Sequence, residues 1–149
     1  MQCTSISSKG GIRNEELGIR NYDYLIMLER RENIIIEKSE QFADRIVKMH
    51  KYLSSKKAGN SDILKQIVRS GTSIGANVSE SKFAQSEADF LTKMTISLKE
   101  ANETRFWIKR LYVGGYITEK EYESIIKDNE EIISILAKIT GTMKKRMQK

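Results

Sequence analysis

This sequence predicts an all-α fold, an antiparallel up-down-up-down four-helix bundle, and three observations carry that expectation. Apolar residues recur at steps of three, four and seven over four separate stretches, the spacing that gathers them on one helix face. The 149 residues include no proline, the residue that interrupts helices most severely. The stretches are separated by short polar or glycine-bearing breaks, and short connections make consecutive helices antiparallel. The length suits one domain around one core, and no alternating strand pattern competes.

In the first stretch Ile35, Phe42, Ile46, Met49 and Leu53 share a face, and the run stops near Ser54. Lys56, Lys57, Ala58, Gly59 and Asn60 then make a polar break ending in a stop signal. Asn60 or Ser61 can cap a second helix, and Asp62 in its first turn suits the helix dipole. Ile63, Ile67, Ile74 and Val78 continue that helix in phase through RSGTSIGAN, Arg69 to Asn77. The segment is therefore read as helix despite its glycines, each costing about 1 kcal/mol relative to alanine. Gly71, Gly75 and Ala76 would let a neighbouring backbone approach closely.

A third helix is expected from Ser86, which has the spacing of a capping box with Asp89. Leu91, Met94, Leu98, Ala101, Arg105, Ile108 and Tyr112 form its seam, and Gly114 and Gly115 end it. The fourth has the clearest start, with Thr118 and Glu121 in capping-box register. Tyr122, Ile125, Asn129, Ile132, Leu136, Ile139 and Met143 follow the heptad rhythm. Acidic residues near its start and Lys144, Lys145, Arg146 and Lys149 at its end match the helix macrodipole.

The bundle is assigned to residues 33–149, with residues 1–32 as an N-terminal extension, disordered or loosely helical. Within that extension GIRNEEL, from Gly11, is echoed by GIRNYDY, from Gly18. Ile12, Leu17 and Ile19 are spaced five and two apart, which makes no coiled-coil seam. The echo is read as a translated upstream repeat, and Met27 offers a downstream start.

Enzymatic chemistry finds little to work with. His50 is the one histidine and Cys3 the one cysteine. Paired-histidine, Cys-x-x-Cys and doubled Glu-x-x-His metal sites are therefore impossible, and no phosphate-binding glycine loop occurs. Ser70 and Ser73 lack a nearby base and are expected to bond back to helix carbonyls. No enzyme activity, cofactor or metal is expected. Arg69, Asn77, Glu80, Glu100, Glu103 and Arg105 lie beside the seams, where cross-helix ion pairs and hydrogen bonds that set register are the expected role.

Lys and Arg number 26 against 20 Asp and Glu, a formal charge of +6. A basic balance suits nucleic-acid partners. The candidate phosphate contacts are Lys56, Lys57, Lys82, Lys138, Lys144, Lys145, Arg146 and Lys149. No apolar run is long enough to span a bilayer and no targeting signal is visible, so a cytoplasmic protein without membrane contact is expected.

The stretch from Gln66 to Leu111 closely resembles the four-helix-bundle proteins of the 23S rRNA intervening-sequence type, also described as ribosomal-protein-like. The matching signatures are Arg69-Ser70 with Ser73-Ile74 and Asn77, Asp89-Phe90, Lys99-Glu100-Ala101, Glu103-Thr104 and Trp107. Glu80-Ser81 departs slightly from the Glu-Ala or Glu-Gly common in relatives. The similarity runs from about Asn33 to Lys145. It implies an antiparallel bundle, assembly into a homopentameric ring, and RNA or DNA binding. A related bundle accompanies the reverse transcriptase of diversity-generating retroelements, so a protein partner of that kind is also implied. Phe83, Phe90, Trp107 and Tyr112 are the candidate interface anchors. The resulting expectation is a non-enzymatic oligomer acting as a ribonucleoprotein accessory factor; the alternative is a protein-interaction adaptor that binds no nucleic acid.

Overall fold

The computed structural model describes residues 21–56 and 61–148. Cys3, most of the GIRNEEL echo, Lys57, Gly59, Asn60 and Lys149 lie outside the described residues. Four helices occupy the described chain: α1 (Asn21–Ser55), α2 (Ser61–Ser81), α3 (Glu87–Val113) and α4 (Glu119–Met147). Consecutive helices pack antiparallel, α1 on α2, α2 on α3 and α3 on α4; α4 closes back on α1 through the least extensive of the four interfaces. The up-down-up-down bundle is therefore the observed fold.

α1 is continuous through Asn33, and Leu28 is already buried. At 35 residues it is about 50 Å long. Its fully buried side chains include Ile35, Phe42 and Ile46. RSGTSIGAN is helical throughout, and its glycines explain how. A Cβ on Gly71 would stand 3.0 Å from the Ile46 side chain, and one on Gly75 would stand 3.1 Å from the Ser39 carbonyl oxygen. Those two glycines let α2 lie close against α1. Ala76 does not take part: the next residue on the helix points outward and is exposed.

The buried stripe of α3 is Met94, Ser97, Ala101, Thr104, Ile108 and Leu111. It is rotated toward α2 relative to the expected seam, because serine and threonine occupy the line where α2 comes nearest. Leu91, Leu98 and Tyr112 flank it half-buried, and Arg105 is exposed, bonded to Asn102 on its own helix. The α4 stripe from Ile125 to Met143 is buried as expected. Asn129 is fully buried within it; its amide donates to the Ala101 carbonyl at 3.1 Å, while its Oδ1 has no partner among the described residues.

The helix ends follow local chemistry. Thr118 and Glu121 form the reciprocal capping box, with the Thr118 N–H donating to Glu121 at 2.8 Å and the Glu121 N–H to Thr118 Oγ1 at 3.2 Å. At α3, Ser86 Oγ accepts from the Asp89 N–H at 3.1 Å, but the Asp89 carboxylate reaches the Gln85 N–H instead of the Ser86 N–H. Aspartate is one methylene shorter than the usual glutamate, and the return bond shifts by one residue. The far end of α3 is a Schellman motif: Gly115 adopts φ +76°, its N–H donates to the Tyr112 carbonyl, and the Tyr116 N–H donates to the Leu111 carbonyl.

Candidate functional site

The polar residues singled out beside the seams resolve into two sets. Ser70 is fully buried, and its hydroxyl lies 2.9 Å from that of Thr104 on α3. Each hydroxyl is also within bonding range of a carbonyl one turn back on its own helix, Gln66 and Glu100. With one proton apiece, one hydroxyl bonds across while the other bonds back. Ser73 donates to the Arg69 carbonyl and Asn77 to the Ser73 carbonyl, both within α2.

The second set consists of ion pairs at the rim. Arg69 spans to Glu100 at 3.4 Å and makes a closer pair with Glu103, while Lys93 reaches Glu80 at 2.6 Å. The hydrogen bond from Arg69 holds the Glu103 carboxyl below the usual glutamate range; partial desolvation opposes this, and the Trp107 indole N–H, at 3.2 Å, adds to the lowering. These contacts tie α2 to α3, whereas Asn77 and Arg105, expected to bond across helices as well, bond within their own. Among the described residues no group of three or more His, Cys, Asp or Glu is placed to hold a metal. His50 is half-buried on α1.

The structure divides the basic candidates between the two ends of the bundle. Lys56 closes α1 at one end. Lys82, Lys144, Lys145 and Arg146 gather at the other, where α2 and α4 finish and α3 begins, with Lys138 exposed further along α4. The ends are separated by the length of α4, about 40 Å. Arg146 is paired with Glu87 at 2.8 Å.

The four aromatic candidates also divide. Phe90, Trp107 and Tyr112 are half-buried against the core, and Tyr112 stacks on Tyr122 with ring centroids 4.5 Å apart. Phe83 is 84% exposed in the turn between α2 and α3. Phe106 and Val113, which the sequence reading passed over, are also exposed on α3; Phe106 meets Trp107 edge-on, and the Arg110 guanidinium lies over its ring.

A concave feature lies where α1 ends and α4 begins. It is an open groove of about 470 Å³, walled by Arg45, Lys48, Tyr52, Lys120, Glu121 and Ser124, with apolar surface from Met49, Leu53, Ile117 and Ile125. Sequence reasoning missed it by taking its cations from the breaks after the first two helices and from the last helix. The available signal was the register of Arg45, Lys48, Tyr52 and Lys56, at steps of three, four and four along α1. No helix among the described residues is long and apolar enough to cross a membrane.

The comparisons with known proteins address the whole bundle. The family model described as 23S rRNA-intervening sequence protein matches residues 31–138. The crystal structure of a protein of unknown function from the S23 ribosomal protein family, from Bacteroides thetaiotaomicron, is 47% identical, with a TM-score of 0.72, covering 74% of this chain and 98% of that one. No curated protein matches. The match spans all four helices and both sets of cross-helix contacts, and the chain belongs to the family of 23S rRNA-intervening sequence proteins.

Proposed function

We infer that this protein is a non-enzymatic, cytoplasmic oligomer, a homopentamer, that binds RNA or DNA as a ribonucleoprotein accessory factor. The observation that carries the reading is how the charges are distributed. Ion pairs among the described residues join five cations, Lys38, Arg45, Arg69, Lys93 and Arg146, to six carboxylates. Asp89 and Glu121 are further engaged at helix starts. The pairing takes up nearly equal numbers of cations and carboxylates, so the basic excess of the chain, a formal charge of +6, is left for the surface. Membership of a family named for 23S rRNA intervening sequences points the same way. A ring of five chains would carry a formal charge of about +30, and phosphate contacts would then dominate affinity.

Exposed Phe106 and Val113 on α3 give a ring its apolar contact surface. Exposed Phe83 favours the second reading, an adaptor docking another protein, a reverse transcriptase being one such partner. Filter binding of structured RNA and DNA at about 50 mM and about 200 mM salt tests the first reading. Binding that weakens steeply with salt supports it, and no binding at the lower salt removes it. Light scattering that returns the single-chain mass of 17.1 kDa would remove the oligomer. A protein partner that co-purifies after nuclease treatment would favour the adaptor.

A further inference from the structure

The α1–α4 groove brings cations, an exposed aromatic ring and an apolar floor together. Arg45, Lys48, Tyr52 and Lys56 form one ridge along α1, and Lys120 faces them from α4. Tyr52 is a wall of the groove yet 46% exposed. Lys56 Nζ sits 4.2 Å from the Tyr52 ring centroid, but Lys56 is not itself a wall. Lys48 and Lys120 are exposed and form no ion pair among the described residues. Asp128 nearby is paired with Arg45, and Glu121, itself a wall, accepts from the Thr118 N–H; the walls thus carry three cations, Arg45, Lys48 and Lys120, against one carboxylate. The floor is apolar, from Met49, Leu53, Ile117 and Ile125.

We propose that this groove binds single-stranded nucleic acid, with one base stacked on the groove side of the Tyr52 ring and the flanking phosphates on Lys48 and Lys120. The assignment rests on the nucleic-acid reading above and gives it a location. An exposed aromatic ring between cations is how sequence-tolerant single-strand sites are built, because every base has a flat face. A duplex keeps its base faces stacked and has nothing to offer the ring. An acidic peptide would answer the lysines but has no need of an aromatic wall. The opposite end of the bundle is a poorer site. Phe83 stands in a turn, and although Glu80, Glu87 and Asp89 around it are engaged by Lys93, Arg146 and the Gln85 N–H, the ring is 84% exposed and does not wall the groove with its apolar floor.

The test is fluorescence anisotropy with the full chain and short labelled oligouridine and oligodeoxythymidine, at about 50 mM and about 200 mM salt. Tyr52→Leu keeps apolar bulk and helix propensity without a flat π face, and is expected to weaken binding about tenfold. Tyr52→Trp is expected to bind at least as well as the native chain. Lys48→Gln and Lys120→Gln should each reduce the log–log salt slope by about 0.7, the loss of one phosphate contact to a single strand. Circular dichroism confirms that each variant is folded. If the native chain binds no oligonucleotide at low salt, the nucleic-acid reading falls and the groove assignment with it. Native binding that survives Tyr52→Leu unchanged overturns the groove alone. So does equal loss in Tyr52→Leu and Tyr52→Trp, preference for duplex, or competition by polyglutamate as strong as by unlabelled oligonucleotide.

Discussion

At the α2–α3 seam, Ser70 meets Thr104 and Ser97 donates to the Ile74 carbonyl at 3.0 Å, all fully buried, with Arg69 and Lys93 closing the rim. At the α1–α4 seam, Lys38 pairs with Glu131, and Arg45 with Asp128 and the Ser124 carbonyl, all near the surface; beyond Arg45 the helices part into a groove. Both seams use cross-helix polar contacts, but side-chain size decides what remains. Serine, threonine and glycine let α2 approach its neighbours until the hydroxyls of Ser70, Ser97 and Thr104 are all answered inside the protein. Arg45, Met49 and Tyr52 line a groove between the end of α1 and the start of α4, where a ring and two lysines face solvent. One side of the bundle holds stability, and the other has room for a ligand.

That contrast can be broken most severely at α2's tight packing. Gly75→Leu must push against the Ser39 backbone, which cannot rotate away as a side chain could. It should cost about 3 kcal/mol in urea unfolding, and a neutral result would mean that α2 does not lie this close. Removing the Leu28 side of α1 should come next. Deleting residues 1–26 leaves the described core whole, whereas deleting 1–32 removes buried Leu28 and should cost about 2 kcal/mol more.

Thr104→Val leaves Ser70 without its cross-helix partner. The expected loss is about 1–2 kcal/mol with oligonucleotide affinity unchanged. At the rim, Arg69→Ala should cost less than about 1 kcal/mol, since the pair is solvent-accessible. Its signature lies in pH. The folded Glu103 carboxyl titrates below the unfolded one, so its contribution is fully present above the unfolded value of about 4.3 and is lost as pH falls through the folded value. Acid unfolding of Arg69→Ala should therefore begin at higher pH than in the native chain. The smallest expected change in stability is at the groove. Lys48→Gln and Lys120→Gln should stay within about 0.5 kcal/mol of the native chain, although they weaken binding.

The helix ends and the course of α2 were largely legible in the sequence. The capping box at Thr118 and the glycine end of α3 are local signals whose partners lie within a few residues. The helical reading of RSGTSIGAN held because Ile67, Ile74 and Val78 stay in phase through it. Legibility fell where the answer depends on a neighbour's distance. Gly75 and Ala76 look equally small in sequence, yet only Gly75 faces α1. The α3 stripe is turned toward Ser97 and Thr104 because α2 presents Ser70 and the Ile74 carbonyl there, which periodicity cannot see. The groove was the least legible feature. A basic residue on a helix face usually means a solvated face, and only the divergence of α1 from α4 turns Lys48 and Tyr52 into walls. Of the described basic candidates, Lys56 lies at one end of the bundle and Lys82, Lys144, Lys145 and Arg146 at the other, with Lys138 along α4.

Whether ligand contacts the α1–α4 groove is decided by ultraviolet crosslinking of the full chain to a labelled single-stranded oligonucleotide, followed by peptide mapping. Crosslinks should fall on Tyr52 and on the peptides containing residues 45–53 and 117–125. Crosslinks confined to residues 82–87 and 138–148, with none at Tyr52, would place the contact at the opposite end and contradict the account.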